Sequence, residues 1–303
     1  MSAHRVLLVE NQADLSILDG RLRLRRDGMD DAFVLPNDIA VLILHHHTIR
    51  ITVHVLRTLA QSGSMILVTD ERHYPAGMLW PWAGGSVLAR RLRQQITLDA
   101  STKKTVLWGQ LVQGRIATQA LNLRHFSYNG ALRLERLCRK VRPGDPDNLE
   151  AQATRHYWRC LLPAGIHREK QGSTEPLNVR LNFGFAVLRS LLAREIAAAG
   201  LNPALGLGHH NLENPFNLAD DLMEPYRFVV ERHVLTADTS LPFDSTARVA
   251  LLNFFSTEVE LAGRSFRLPS AVAETVSSLT RVLNKKQTCL NIPGASCQPM
   301  PGG

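Results

Sequence analysis

The first seventy residues read as mainly β, with apolar and polar positions alternating most clearly in residues 14–26. "HRVLLVE" (4–10) reads as a strand. "DLSILDGRLRLRR" (14–26) reads as two alternating segments joined by Asp19 and Gly20, the strongest short-range hairpin signal, because a tight two-residue turn needs residues that tolerate positive φ. "DDAFVLPNDIAVLIL" (30–44) stays rich in Val, Ile and Leu on either side of a turn at Pro36 and Asn37. Ile49, Val53, Leu56 and Ala60 predict a short helix, and after Gly63 the run Met65 to Thr69 predicts another strand.

The pattern changes after "YPAGMLWPWAGG" (74–85), where a Pro, Gly and Trp-rich segment gives way to long stretches of helical period. "VLARRLRQQITLDAS", "KKTVLWGQLVQGRIATQALNL" and "ALRLERLCRKV" carry apolar residues three and four apart, with Arg and Lys on the other faces. In "PGDPDNLEAQATRHYWRCLLP", Asp145 can cap, Pro146 suits the first helical position and Pro163 ends the run. "LNVRLNFGFAVLRSLLAREIAAAG" places an apolar stripe at Leu181, Phe185, Leu188, Leu192 and Ile196, and Gly200 suits a C-terminal cap. Further helical segments run to about Asn284. The Gly and Pro-rich "KKQTCLNIPGASCQPMPGG" is expected to be flexible or loosely attached. The reading is an α+β chain: a small β-rich N-terminal domain (1–73), a larger all-α domain (74–285) carrying any catalysis, and a flexible tail (286–303).

Composition narrows the partners. With 303 residues, 45% hydrophobic and 20% charged, the chain can bury a sizeable core. Its net charge of +8, supplied mostly by arginine, favours an anionic partner, nucleic acid first among them. Cys138, Cys160, Cys289 and Cys297 form no CxxC pair, which argues against a zinc site and for reduced, buried thiols in a cytosolic protein. The N-terminus turns polar too soon for a signal peptide, and no apolar run is long enough to span a membrane.

Candidate chemistry concentrates in "GLGHHNLENPFNLADDLMEP" (206–225). Asn214-Pro215 reads as a helix start, so Asp221 and Glu224, three apart, share a face. Two carboxylates that close repel unless a cation lies between them or one is protonated. His209 and His210 precede them on a Gly-containing segment, and either can turn an imidazole toward that face. Oxygens with one imidazole suit Mg²⁺ or Mn²⁺ better than zinc, although acidic residues near a helix start also favour the helix dipole without any metal. Glu150 is a second candidate. It shares a helix with Arg155, Tyr157, Trp158 and Arg159, residues that can hold phosphates and stack bases, though the two aromatics more often belong to a core. His45, His46 and His47 follow a strand whose side chains alternate in direction, so a polar edge is the expected reading. "WAGGS" and "GLGHH" lack the P-loop lysine and the dinucleotide fingerprint.

Taken together, "GDPDNLEAQATRHYW", "LNFGFAVLRSLLAREIAAAGLNPALGLGHHN" and "FNLADDLMEPYR" resemble, in order and spacing, the signature blocks of the CRISPR-associated integrase that captures new spacers, most closely the type II form. The likeness is specific over roughly Asp70 to Arg227 and looser at both ends, where "TDERHYPAG" also fits the family plan. It implies metal ligands at Glu150, His209 and Glu224, with Asp221 in support and His210 as the runner-up imidazole; Glu213 and Asp220 are left to structural roles. Arg155, Arg159 and Arg227 are expected to contact DNA. The family often has tyrosines where this chain has Phe183 and Phe185, so no phenol hydroxyl is available there. The resemblance further implies a Mg²⁺- or Mn²⁺-dependent endonuclease and integrase acting on double-stranded DNA. It also implies a homodimer, and a small ferredoxin-like CRISPR-associated partner bridging two dimers.

Overall fold

The structure is a computed structural model that describes residues 5–70, 75–79, 81, 87–169 and 172–295. The N-terminal part holds two four-stranded sheets. In the first, β1 (Arg5–Val9), β5 (Ile39–Leu44) and β7 (Met65–Thr69) run parallel and β8 (Pro75–Leu79) closes the edge antiparallel, in the order β1-β5-β7-β8. In the second, β2 (Asp14–Leu18), β3 (Arg21–Arg25) and β4 (Ala32–Val34) form an antiparallel meander, and β6 (Arg50–Ile51) lies parallel to β2. The β2–β3 turn is the one the sequence predicts: Asp19 and Gly20 have φ of 49° and 72°, and Leu18 pairs with Arg21.

All six residues of β5 are buried, because both faces of this sheet are covered. Val41 and Ile43 join the core shared with the helical part, while Leu42 and Leu44 pack on the other face with Leu15, Leu22, Val55 and Leu59. The period of two thus divides one strand between two cores. The predicted helix over 49–60 begins later, as α1 (Val53–Gln61), because Arg50 and Ile51 are taken by β2 and Thr52 Oγ1 caps Val55 N at 3.3 Å.

The helical part comprises α2 (Val87–Asp99), α3 (Thr102–His125), α4 (Ala131–Cys138), α5 (Leu149–Leu161), α6 (Pro176–Ala198), α7 (Asn217–Met223), α8 (Arg227–Thr236), α9 (Ser245–Leu252) and α10 (Leu268–Leu283). α6 is the hub. Glu175 accepts from the amides of Leu177 and Asn178, Pro176 opens the helix, and Gly200 (φ 72°) follows its end. Buried nearly all round, α6 packs against β5 and β7 on one side and α7, α8 and α10 on the others. α3, about 36 Å long, is buried on several faces and touches α2, α4, α5, α7 and α8.

The α+β architecture is as expected, with local differences. β8 carries the first sheet past residue 73, since its backbone pairs with β7 despite a weakly apolar sequence. The region read as further helical segments before Asn284 also contains a hairpin of β9 (Glu258–Leu261) and β10 (Arg264–Arg267), turned by Ala262 and Gly263 at φ of 49° and 75°. α5 starts at Leu149 rather than at Pro146: Asp145 caps from outside, accepting from the amides of Leu149 and Glu150 at 2.9 and 3.0 Å.

The start of the tail is not loose. Leu290 and Ile292 are buried, and Gln110 of α3 both donates to and accepts from the Leu290 backbone at 2.8 Å. Cys289 is disulfide-bonded, against the expectation of free thiols throughout, while Cys138 and Cys160 are free and half-buried. "WAGGS" and part of "TDERHYPAG" lie outside the described residues. Among the described residues no helix is long and apolar enough to cross a membrane.

Candidate functional site

The segment between α6 and α7 folds around one carboxylate. Asp221, fully buried on α7, accepts from the amides of Leu207, Gly208 and His209 and from His209 Nδ1 at 2.6 Å. Three successive N–H groups form a cradle for the anion. The approach is close enough to require glycine: a Cβ on Gly206 would come within 2.5 Å of the His209 carbonyl, and one on Gly208 within 2.2 Å of the Trp108 ring. With Nδ1–H committed to Asp221, neutral His209 presents Nε2 as an acceptor. Its ring rests edge-on against Trp108, centroids 5.8 Å apart. The bond to Asp221 raises the His209 pKa above its ordinary value; partial desolvation of the ring, about half of which is exposed, opposes this, and the charges of Asp221, Glu224 and Asp220 reinforce it.

Glu224 begins the short 3₁₀ turn (Glu224–Tyr226) between α7 and α8. Its Oε1 meets Arg227 at 2.9 Å, and its Oε2 lies 3.4 Å from Arg115 Nε. Burial works against the charge, but the two guanidiniums prevail and hold the carboxyl below its usual range. Glu150 is half-buried in the first turn of α5, where its Oε1 accepts from Thr154 at 3.0 Å.

α3 links the three. It runs parallel to α5, with Thr105 level with Gly144, Gln119 with Thr154 and Asn122 with Tyr157. One turn back from Gln119 and Thr154 stand Arg115 and Glu150, so Glu150 shares a level with the arginine that touches Glu224. Seven residues earlier on α3, Trp108 supports His209. His209 and Glu224 lie within electrostatic reach of each other.

The donor chemistry, two carboxylates and an imidazole beside a glycine cradle, fits a hard divalent cation. Nevertheless, among the described residues no three His, Cys, Asp or Glu side chains converge closely enough to enclose an ion. In this arrangement Glu224 is paired with two arginines, and Glu150 accepts from Thr154 through Oε1.

The remaining expected residues divide by environment. His210 and Glu213 are exposed. Asp220 pairs with Arg189 at 2.7 Å and accepts from Asn214, a structural role. Arg155 and Arg159 are exposed on α5, whereas Arg227 is half-buried between Glu224 and the Phe185 ring, 4.8 Å from its centroid. Tyr157 is core: its hydroxyl donates to buried Glu231 at 2.5 Å. The histidine run lines a cleft of about 900 Å³ at the carboxyl ends of β1, β5 and β7, where His45 Nδ1 and Thr69 Oγ1 are 2.6 Å apart and the His46 and His47 rings stack. The sequence reading missed Arg115 and Trp108. Both sit inside a long, largely buried helix, and their partners lie far along the chain, so no local spacing marks them.

This combination defines an α+β protein with a candidate carboxylate and imidazole site set between helices. The family model described as CRISPR associated protein Cas1 matches residues 6–241. A CRISPR-associated endonuclease Cas1 of Neisseria meningitidis serogroup C is 32% identical over 295 residues, covering 95% of each chain. The chain belongs to the Cas1 family. Among solved structures, a casposase bound to integration product superposes with a TM-score of 0.80 at 17% identity, covering 98% of this chain and 96% of that one. A Cas1 protein from Thermotoga maritima gives 0.73 at 14% identity, covering 93% and 98%.

Proposed function

We propose that this chain is a metal-dependent DNA endonuclease and integrase that inserts short duplexes into a CRISPR array, a 3′-hydroxyl attacking a phosphodiester at the end of a repeat. The observation that carries this reading is His209: Asp221 fixes its Nδ1, leaving Nε2 available beside Glu224, at a site α3 ties to Glu150. The meningococcal relative is named an endonuclease, and the casposase neighbour was captured with an integration product. Glu150, His209 and Glu224 would hold Mg²⁺ or Mn²⁺, which would lower the pKa of the attacking hydroxyl and offset charge at phosphorus. Asp221 orients the imidazole, and Trp108 fixes the ring's position. Exposed Arg155 and Arg159 lie on the helix that carries Glu150, where they can grip a duplex backbone. The homodimer and the small CRISPR-associated partner follow from the resemblance of the motif blocks, and a further structural neighbour is a Cas6-RT-Cas1–Cas2 complex, in which Cas1 is joined with Cas2.

Glu150→Ala and Glu224→Ala are expected to cut strand transfer at least about 100-fold while sparing most duplex binding, read by an integration assay beside a gel shift. Equal loss of both would instead indicate a folding role. A second reading, a non-catalytic DNA-binding scaffold, draws on the Arg115 and Arg227 pairing that satisfies Glu224 with no ion. It predicts function that is indifferent to chelators and to Glu224→Gln.

A further inference from the structure

Arg115 is a buried cation beneath the candidate site, only 2% exposed. Its Nη2 donates to Glu231 Oε1 at 2.9 Å and its Nε faces Glu224 Oε2 at 3.4 Å, while the Tyr157 ring lies 5.5 Å from the guanidinium carbon. Glu231 is fully buried and also accepts from the Tyr157 hydroxyl at 2.5 Å and from Asn122 at 3.5 Å. α3, α5 and α8 therefore meet on one anion, and that anion fixes one end of the guanidinium. Nε and Nη1 are buried without a hydrogen-bond partner. Such orphaned donors are rare and costly in a packed interior. If Arg115 served only to neutralise Glu231, it would not need to direct Nε toward a second carboxylate at the edge of the site.

We propose that Arg115 is the positioning residue of the site. From the interior it holds the Glu224 carboxylate in the orientation strand transfer needs, and its buried charge moderates the attraction of the acidic cluster for a divalent cation. Arg227 takes the other oxygen from the outer side. The two arginines differ in consequence: Arg227 is a neighbour on the same turn, whereas Arg115 ties Glu224 to the α3–α5–α8 framework that also carries Glu150. The inference rests on Glu224 being a metal ligand, as proposed above.

The test uses the full chain, free Mn²⁺ as the probe and three proteins: wild type, Arg115→Lys, and the double variant Arg115→Met with Glu231→Gln, which removes the arginine without stranding a buried carboxylate. Titration calorimetry with Mn²⁺, single-turnover strand transfer, a duplex gel shift and thermal melting are read together. The double variant is expected to melt cooperatively and to bind Mn²⁺ about 3- to 10-fold more tightly, because a nearby positive charge is gone. Its strand transfer should fall about 100-fold at saturating Mn²⁺ from misplacement of the carboxylate, with duplex affinity unchanged. Arg115→Lys, which keeps the charge and loses the rigid fork, should bind Mn²⁺ like wild type yet transfer strands slowly. Unchanged Mn²⁺ affinity and rate in a folded double variant would overturn the inference alone. Absence of Mn²⁺ binding by the wild type would overturn the metal-dependent reading and the inference with it.

Discussion

Asp221 commits His209 to a single tautomer. Oδ1 stands 2.6 Å from Nδ1 and 3.1 Å from the same residue's amide nitrogen, so one carboxylate sets both the ring and the backbone that carries it. Asp221→Asn places an amide where only an acceptor is tolerated. Mn²⁺ affinity is expected to fall about 10- to 100-fold, read by calorimetry. Asp220→Asn, one residue away but paired with Arg189, should leave that affinity near wild type.

Acidity should act on His209 in two opposite senses. The hydrogen bond to Asp221 and the surrounding negative charges raise its pKa above 6.5, burial notwithstanding. A protonated ring carries hydrogen on Nε2 and cannot ligate, so Mn²⁺ affinity should decline as pH falls through this raised value, beginning above the ordinary one. For the metal-free fold the sign reverses. A raised native pKa stabilises fully below the unfolded value and the benefit disappears as pH rises through the native one. Calorimetry and melting curves from about pH 5 to about pH 9 read both trends, and His209→Asn should flatten each.

Gly184 lets α6 and α8 approach: a Cβ there would sit 2.4 Å from Val230 Cγ1. Gly184→Ala is expected to destabilise by about 1–3 kcal/mol through overpacking, measured by denaturant unfolding. Adding Val230→Ala should recover much of the loss, since it removes the colliding methyl.

Truncation after Lys286 strips Leu290 and Ile292 from the core and orphans the Gln110 amide. The loss is expected to be about 3–6 kcal/mol, from roughly 1.5–3 kcal/mol for each of the two buried aliphatic side chains. An unchanged melting temperature would show that this segment is dispensable.

Local chemistry made part of this molecule legible in its sequence. Asp19-Gly20 announces its turn through the φ values it permits, and the unbroken apolar run of β5 follows from a sheet covered on both faces. The β9–β10 turn escaped notice because Ala262 occupies a positive-φ position usually given to Asn, Asp or Gly. β8 pairs with the preceding strand β7 through its backbone, so its Pro and Gly-containing sequence shows little strand pattern, whereas the docked tail depends on Gln110, distant along the chain, a contact that nothing in its own spacing records. The same holds within the candidate site. The order of the motif blocks singled out Glu150, His209 and Glu224, and Arg227 lies three residues beyond Glu224, whereas Arg115 reaches Glu224 only once α3 is folded against α7 and α8.

The role of α3 as a common support has a consequence for the chain's length. Trp108 and Arg115 are two turns apart, so the imidazole and the carboxylate they brace are spaced by helix pitch alone. Deleting one residue between them would rotate one brace by about 100° relative to the other and draw it in by about 1.5 Å, parting supports that no loop could bring back. Insertions and deletions between Trp108 and Arg115 should therefore be far less tolerated than changes of equal size in the exposed segment around Leu212, where chain length can drift without moving either brace.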